Sequence, residues 1–92
     1  MIKSFKDKDT EILYNNGHSK KHKAYERIAL RKLDMIAAAV ELEDLKIPPG
    51  NHLEPLHGDR EGQHSIRIND QYRICFVWSD GGAYSIEIVD YH

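Results

Sequence analysis

Residues 58–78 read Gly58-Asp59-Arg60-Glu61-Gly62-Gln63-His64-Ser65-Ile66-Arg67-Ile68-Asn69-Asp70-Gln71-Tyr72-Arg73-Ile74-Cys75-Phe76-Val77-Trp78, and the last four residues are Val89-Asp90-Tyr91-His92. Apolar side chains alternate with others along three successive runs, the pattern of strands with one buried face. Ile66 and Ile68 are expected to share that face with Ile74, Phe76 and Trp78, and with Tyr84, Ile86 and Ile88. Arg67, Arg73, Glu87 and Tyr91 then fall on the opposite face. Asn69-Asp70-Gln71 and Ser79-Asp80-Gly81-Gly82 supply the hairpin turns. Two guanidinium groups, a carboxylate and a phenol thus converge on an outward surface.

Upstream residues read as packing for the other face. Ile2-Lys3-Ser4-Phe5 alternates and predicts a short strand, on a sheet edge or beside the C-terminal strand. Asp7 or Asp9 with Thr10 predicts a capped helix over Thr10 to Asn16, stopped at Asn15-Asn16-Gly17. Ser19-Lys20-Lys21-His22-Lys23 leads into a longer helix ending near Val40, with Tyr25, Ile28, Ala29, Leu33, Ile36, Ala37 and Val40 as its inward stripe. Glu41 to Leu45 reads as one further turn before Pro48-Pro49-Gly50. The stretch from there to Gly62 reads as a loop, and it carries His52, Glu54 and His57. The expected fold is therefore α+β: an N-terminal strand and two to three helices packed on one face of a small, mainly antiparallel sheet, as one domain over residues 1–92.

Ninety-two residues with 40% hydrophobic and 30% charged content describe one ordinary globular domain. No apolar run reaches the roughly 20 residues of a membrane span, and no signal-peptide core is present, so a cytoplasmic location without membrane association is expected. The single Cys75 lies inside a strand and reads as a small buried hydrophobe. The net charge of −2 conceals polarity: residues 1–33 hold nine Lys or Arg against four acids, and the rest holds four against eleven. Lys20, Lys23, Arg27 and Arg31 recur every three or four residues and form a basic ridge. Helix solvation explains such a ridge, and phosphate contact is the sharper reading.

An open face bearing Arg67, Arg73, Tyr91 and His92 suits a phosphodiester. Arginine presents a planar fork of donors at fixed charge, and histidine moves protons near neutrality. RNA brings its own nucleophile in the 2′-hydroxyl, so cleavage needs a base, an acid and positive charge on the phosphorane, and no metal or other cofactor. Against this stands an ordinary reading in which Arg73 pairs with Glu87 or Asp59. His18 and His22 have a helical ligand spacing, but nothing completes a metal site around them.

The run Pro55-Leu56-His57-Gly58-Asp59-Arg60-Glu61-Gly62, then His64-Ser65-Ile66-Arg67-Ile68-Asn69, Tyr72-Arg73-Ile74-Cys75-Phe76 and Val89-Asp90-Tyr91-His92, resembles the HigB (plasmid-maintenance killer) branch of the RelE-type bacterial toxins. The opening Met1-Ile-Lys-Ser-Phe and the length are similar too. The resemblance implies a microbial-ribonuclease-like α+β fold and a metal-independent endoribonuclease that cuts messenger RNA in the ribosomal A site. It also implies a helix-turn-helix, HigA-like antitoxin, usually encoded just downstream, that engages operator DNA on the pair's behalf.

Carried onto this chain, the resemblance implies that Arg73 stabilises the transition state at the scissile phosphate, and that Asp90, Tyr91 and His92 form a terminal catalytic cluster. Tyr91 or His92 would transfer the proton; Arg67 lies near a nucleic-acid-binding position; Lys20, Lys23, Arg27 and Arg31 become a ribosomal-RNA footprint. Some members carry histidine where Glu54 stands and lysine where His57 stands. Glu54 as base, His57 as acid, or a loop that merely holds Arg73 are the readings this leaves. The departure also keeps a second function open: a non-catalytic module that binds the antitoxin and tunes repression of its own operon.

Overall fold

The computed structural model describes residues 1–91, so the reading of His92 as a proton-transfer group lies outside the described residues. The α1 helix spans Lys8–Asn16 and α2 spans Glu26–Ala38; four strands follow, β1 (Glu54–Pro55), β2 (His64–Arg67), β3 (Tyr72–Ser79) and β4 (Gly82–Asp90). The strands form one antiparallel sheet in sequence order. This is the expected α+β arrangement, with both helices on one face of the sheet.

Ile66, Ile74 and Ile88 stand directly opposite one another across the central strands, and this row with Phe76 and Ile86 meets Leu13, Ala29, Leu33 and Ile36 of the helices. Burying such side chains contributes about 1.5–3 kcal/mol each relative to exposure. Asp7 caps α1 by accepting from the Thr10 amide at 3.2 Å, and Gly17 closes it at φ 81°, a left-handed conformation that glycine adopts without a Cβ penalty. The buried Thr10 hydroxyl accepts from the Ile88 amide at 3.2 Å and ties α1 to β4. Residues 1–6 pair in parallel with β4 through bridges Ile2–Ala83 and Phe5–Ile86. The N-terminal segment thus lies beside the C-terminal strand as expected, but through two isolated bridges rather than as the expected short strand.

Several local expectations change. The long helix begins at Glu26; residues Lys23–Tyr25 form a separate 3-10 turn, so Lys20 and Lys23 precede α2 and only Arg27 and Arg31 share its ridge. Val40 is 76% exposed because the helix ends at Ala38 and Ala39 turns to extended backbone, rotating Val40 out of the stripe. Leu42–Lys46 makes a 3-10 turn with a reciprocal cap between Glu41 and Asp44. A register shift between Cys75 and Val77 pairs Val77 with Tyr84, and Ser85 adopts φ 54°. This bulge sends Tyr84 to the outward face, away from Ile86. The region read as a loop also contains β1, which pairs Glu54 with Ser65 and Pro55 with His64.

The outward face is partly roofed. Cys75 and Ser65 are fully buried on it, and Leu56 is buried outside the main core. Arg60, from the segment after Leu56, reaches Glu87 at 2.7 Å. The opening therefore lies toward the β2–β3 turn and the C-terminal end of β4. No helix among the described residues is long and apolar enough to cross a membrane.

Candidate active site

Cross-strand register assembles the site. Arg67 faces Arg73, Arg73 faces Val89, and Ser65 stands between Glu54 and Cys75. Directly opposed residues share a face, so Glu54, Ser65, Arg67, Arg73 and Tyr91 all belong to the outward side. Two arginines opposed in this way repel, and each is held by its own acceptors. Arg67 pairs with Asp70 in the hairpin turn. Arg73 donates from Nε to Ser65 Oγ at 2.8 Å, and from Nη2 to the His52 carbonyl at 2.5 Å and the Ser65 carbonyl at 3.4 Å.

Arg73 thus has neither Glu87 nor Asp59 as its acidic partner. Glu87 is taken by Arg60 and, at 3.5 Å, by Lys6. Among the described residues no carboxylate is bonded to Arg73. Its Cζ lies 5.9 Å from the Tyr91 ring centroid, a cation–π approach, and Tyr91 is 41% exposed. Gln71 receives the Tyr91 amide on its carbonyl at 2.7 Å, which fastens the end of β4 beside β3.

The other expected site residues divide by geometry. Glu54 is exposed on β1 beside Ser65, the residue that carries Arg73 Nε. His57 lies beyond Pro55, 81% exposed, with Nδ1 3.9 Å from Glu61. Asp90 does not join Tyr91: strand alternation puts it opposite Tyr72, on the helix side, where Gln71 Nε2 donates to it at 3.1 Å. Asp90 and Tyr91 therefore lie on opposite sides of the pleat. Tyr25 stacks on Tyr72 with ring centroids 4.2 Å apart. Burial, followed by Tyr72 and then the Asp90 charge, pushes the Tyr25 phenol far above its ordinary range. Lys20, Lys23, Arg27 and Arg31 are all exposed, along a turn and one helix rather than one continuous helical ridge.

Two of the histidines take separate local partners. His18 Nδ1 meets Glu26 at 3.1 Å, and buried His22 shares a 2.7 Å bond with the Tyr25 hydroxyl. Among the described residues no three His, Cys, Asp or Glu side chains gather where they could hold a metal ion. Burial raises the Cys75 thiol pKa, consistent with a packing residue rather than a nucleophile.

Two partners of Arg73, Ser65 and the His52 carbonyl, lie outside the sequence-based expectations. Ser65 was discoverable from strand parity, since it alternates with Arg67. The carbonyl has no side-chain signature.

Solved structures with this fold include the Staphylococcus aureus YoeB–YefM toxin–antitoxin complex, at TM-score 0.63 and 16% identity, covering 100% of this chain and 98% of the other. A YafQ variant from E. coli matches at TM-score 0.56 and 12% identity, covering 98% and 93%. The architecture is thus one that bacterial toxins use. Sequence narrows it: residues 3–92 match the family described as RelE-like toxin of type II toxin-antitoxin system HigB. Toxin HigB-1 of Vibrio cholerae is 44% identical over 87 residues, 90% of each chain, and Endoribonuclease HigB of Proteus vulgaris is 37% identical over 93 residues, 100% of each. The chain belongs to the HigB-like family of type II toxins.

Proposed function

We propose that this protein is the toxin of a type II toxin–antitoxin pair and acts as a ribosome-dependent messenger-RNA endoribonuclease in the A site. The observation that carries the reading is the outward placement of Arg73, bonded to neutral oxygens of Ser65 and His52, with the Tyr91 ring 5.9 Å away and Glu54 opposite Ser65 in register. A relative of full length named as an endoribonuclease supports the same chemistry.

The 2′-hydroxyl attacks the adjacent phosphorus, the P–O5′ bond breaks, and a 2′,3′-cyclic phosphate and a free 5′-hydroxyl result. Glu54 accepts the 2′ proton. The C-terminal pair Tyr91–His92 delivers a proton to O5′, with His57 as the alternative donor. Arg73 stabilises the charge that develops on the phosphoryl oxygens, the role in which a placed cation contributes most. No step requires a metal. Arg67, Lys20, Lys23, Arg27 and Arg31 meet RNA phosphates. The small open face leaves the ribosome to hold substrate in line.

For the antitoxin, a HigA-like helix-turn-helix protein that carries the operator contact, we assign the helices and N-terminal segment. A groove of about 750 Å³ there is lined by Ile2, Phe5, Tyr14 and Ala37 among others.

Mapping messenger 5′ ends on programmed ribosomes, with and without chelator, tests the proposal. New 5′-hydroxyl ends that persist in chelator and need the ribosome are expected, with 2′,3′-cyclic phosphate on the matching upstream fragments. Growth arrest without new ends, or repression of the operon alone, would favour a non-catalytic antitoxin-binding module instead.

A further inference from the structure

Lys32 lies on α2, on the helix side of the sheet, and is buried with no carboxylate partner among the described residues. Its ammonium donates to Asn51 Oδ1 at 2.5 Å. Asn51 is fully buried as well; its Nδ2 donates to the carbonyls of Leu45 at 3.2 Å and Ile47 at 3.5 Å, and lies 3.7 Å from Met35 Sδ. One side chain thus gathers the 3-10 turn 42–46, the loop after it and α2.

The next residue is His52, at φ 46° and ψ 55°, a left-handed conformation rarely adopted outside glycine and maintained only where surroundings over-determine it. Its N–H is bonded to Pro49 and its carbonyl accepts Arg73 Nη2 at 2.5 Å. The direction of that carbonyl follows from the backbone at 51–52, and that backbone is held through Asn51.

We propose that Lys32 and Asn51 are positioning residues: their buried bond holds the His52 carbonyl where it orients Arg73 toward substrate. Burying a lysine without a counter-charge is costly, and its pKa is pushed down, first by burial and then by Arg31 and Arg67. A leucine or methionine would pack α2 without that penalty. Lys32 instead supplies the donor that Asn51 Oδ1 accepts at that depth. The inference deepens the reading of Arg73 as the phosphate-binding cation, and rests on it for the activity arm of its test.

Lys32→Met removes the donor and keeps the aliphatic stem; Lys32→Gln keeps a donor without the charge. Folding is verified first by thermal melts, and Asn51→Ser replaces Lys32→Met if the latter does not fold at the assay temperature. In ribosome cleavage, Lys32→Met is expected to lower kcat about tenfold or more with KM within about threefold, since misplacement of a catalytic group acts on the bound complex. Lys32→Gln should recover most of the loss. In the Arg73→Ala background, Lys32→Met should add nothing further.

A second readout needs no activity. The Arg73 Nε–H NMR resonance, sharp when held by Ser65 and the ordered loop, should broaden in Lys32→Met and remain sharp in Lys32→Gln. An unchanged Arg73 resonance in a folded Lys32→Met overturns the positioning role, as does full additivity with Arg73→Ala. If the wild type cleaves nothing, the endoribonuclease reading fails while the resonance still decides this inference.

Discussion

Arg73 and Tyr91 meet across the β3–β4 edge, guanidinium carbon to ring centroid 5.9 Å, while Asp90, one residue earlier, lies on the other side of the sheet. The pleat alone separates neighbours this completely. The candidate chemistry therefore gathers around a cation and a ring on one face, and Asp90 serves the junction with Gln71 on the other.

Arg73→Ala should reduce messenger cleavage by about 10²–10³-fold. Arg73→Lys should recover little of it, because an ammonium cannot reach Ser65 and the His52 carbonyl together with a phosphate. The fold should survive both changes, as Arg73 lies outside the main core. End mapping on ribosomes together with circular dichroism checks the pair; near-normal cleavage by Arg73→Ala would remove it from the site.

Deleting Tyr91 and His92 should abolish growth arrest while leaving the melting temperature within a few degrees of wild type. Tyr91 is exposed and held by backbone to Gln71, so little core packing is lost. Tyr91→Phe keeps the ring over Arg73 and separates the two roles of the phenol. Retained arrest in that variant assigns Tyr91 to holding Arg73 and the proton transfer to another group.

Arg60→Ala should leave the partly buried Glu87, among the described residues, with the longer Lys6 ion pair alone and loosen the cover over Cys75. The expected cost is about 1–3 kcal/mol. Alkylation of Cys75 in the native protein should accelerate well beyond what the stability change explains. A thiol still inert after Arg60→Ala would show that Leu56 and the sheet alone protect it.

His22 gives the folded state a pH dependence of known sign. Burial lowers its pKa below 6.5, with Asp7 and Asp9 opposing that shift and Lys21 adding to it. The unfolded chain therefore binds more protons as pH falls through 6.5, and stability contributed by neutral His22 is present above that pH and lost below it. The slope from this group is at most about 1.4 kcal/mol per pH unit. Denaturant unfolding at pH 8 and pH 5.5 should show a smaller acid loss in His22→Gln than in wild type; equal losses would exclude His22 as a source.

Ile74→Ala should cost about 2–5 kcal/mol, since Ile74 is fully buried between Ile66 and Ile88. For a domain of this size that is a large share of total stability. A urea midpoint unchanged by the substitution would contradict the packing described.

Alternation at Ile66, Ile68, Ile74, Phe76, Ile86 and Ile88, the cap at Asp7 and the stripe through Ala29, Leu33 and Ile36 gave the strands, the first helix and the buried layer. Those features are local, and local periodicity is what a residue pattern records. It also placed Arg67, Arg73 and Tyr91 on one surface, since parity along a strand decides a side. Parity misassigned Tyr84, because a bulge resets the count and Ser85 carries no mark of one.

What the amino-acid order determined alone was the two-layer architecture and which cations look outward. Contacts between residues far apart in the chain decided the remainder: that Glu87 belongs to Arg60, that Glu54 reaches Ser65 through a two-residue strand, and that a backbone carbonyl at His52 orients Arg73. A carbonyl is present at every position and becomes specific only through the direction the folded backbone gives it. That direction is set in three dimensions, by Asn51 and Lys32 packed beneath it.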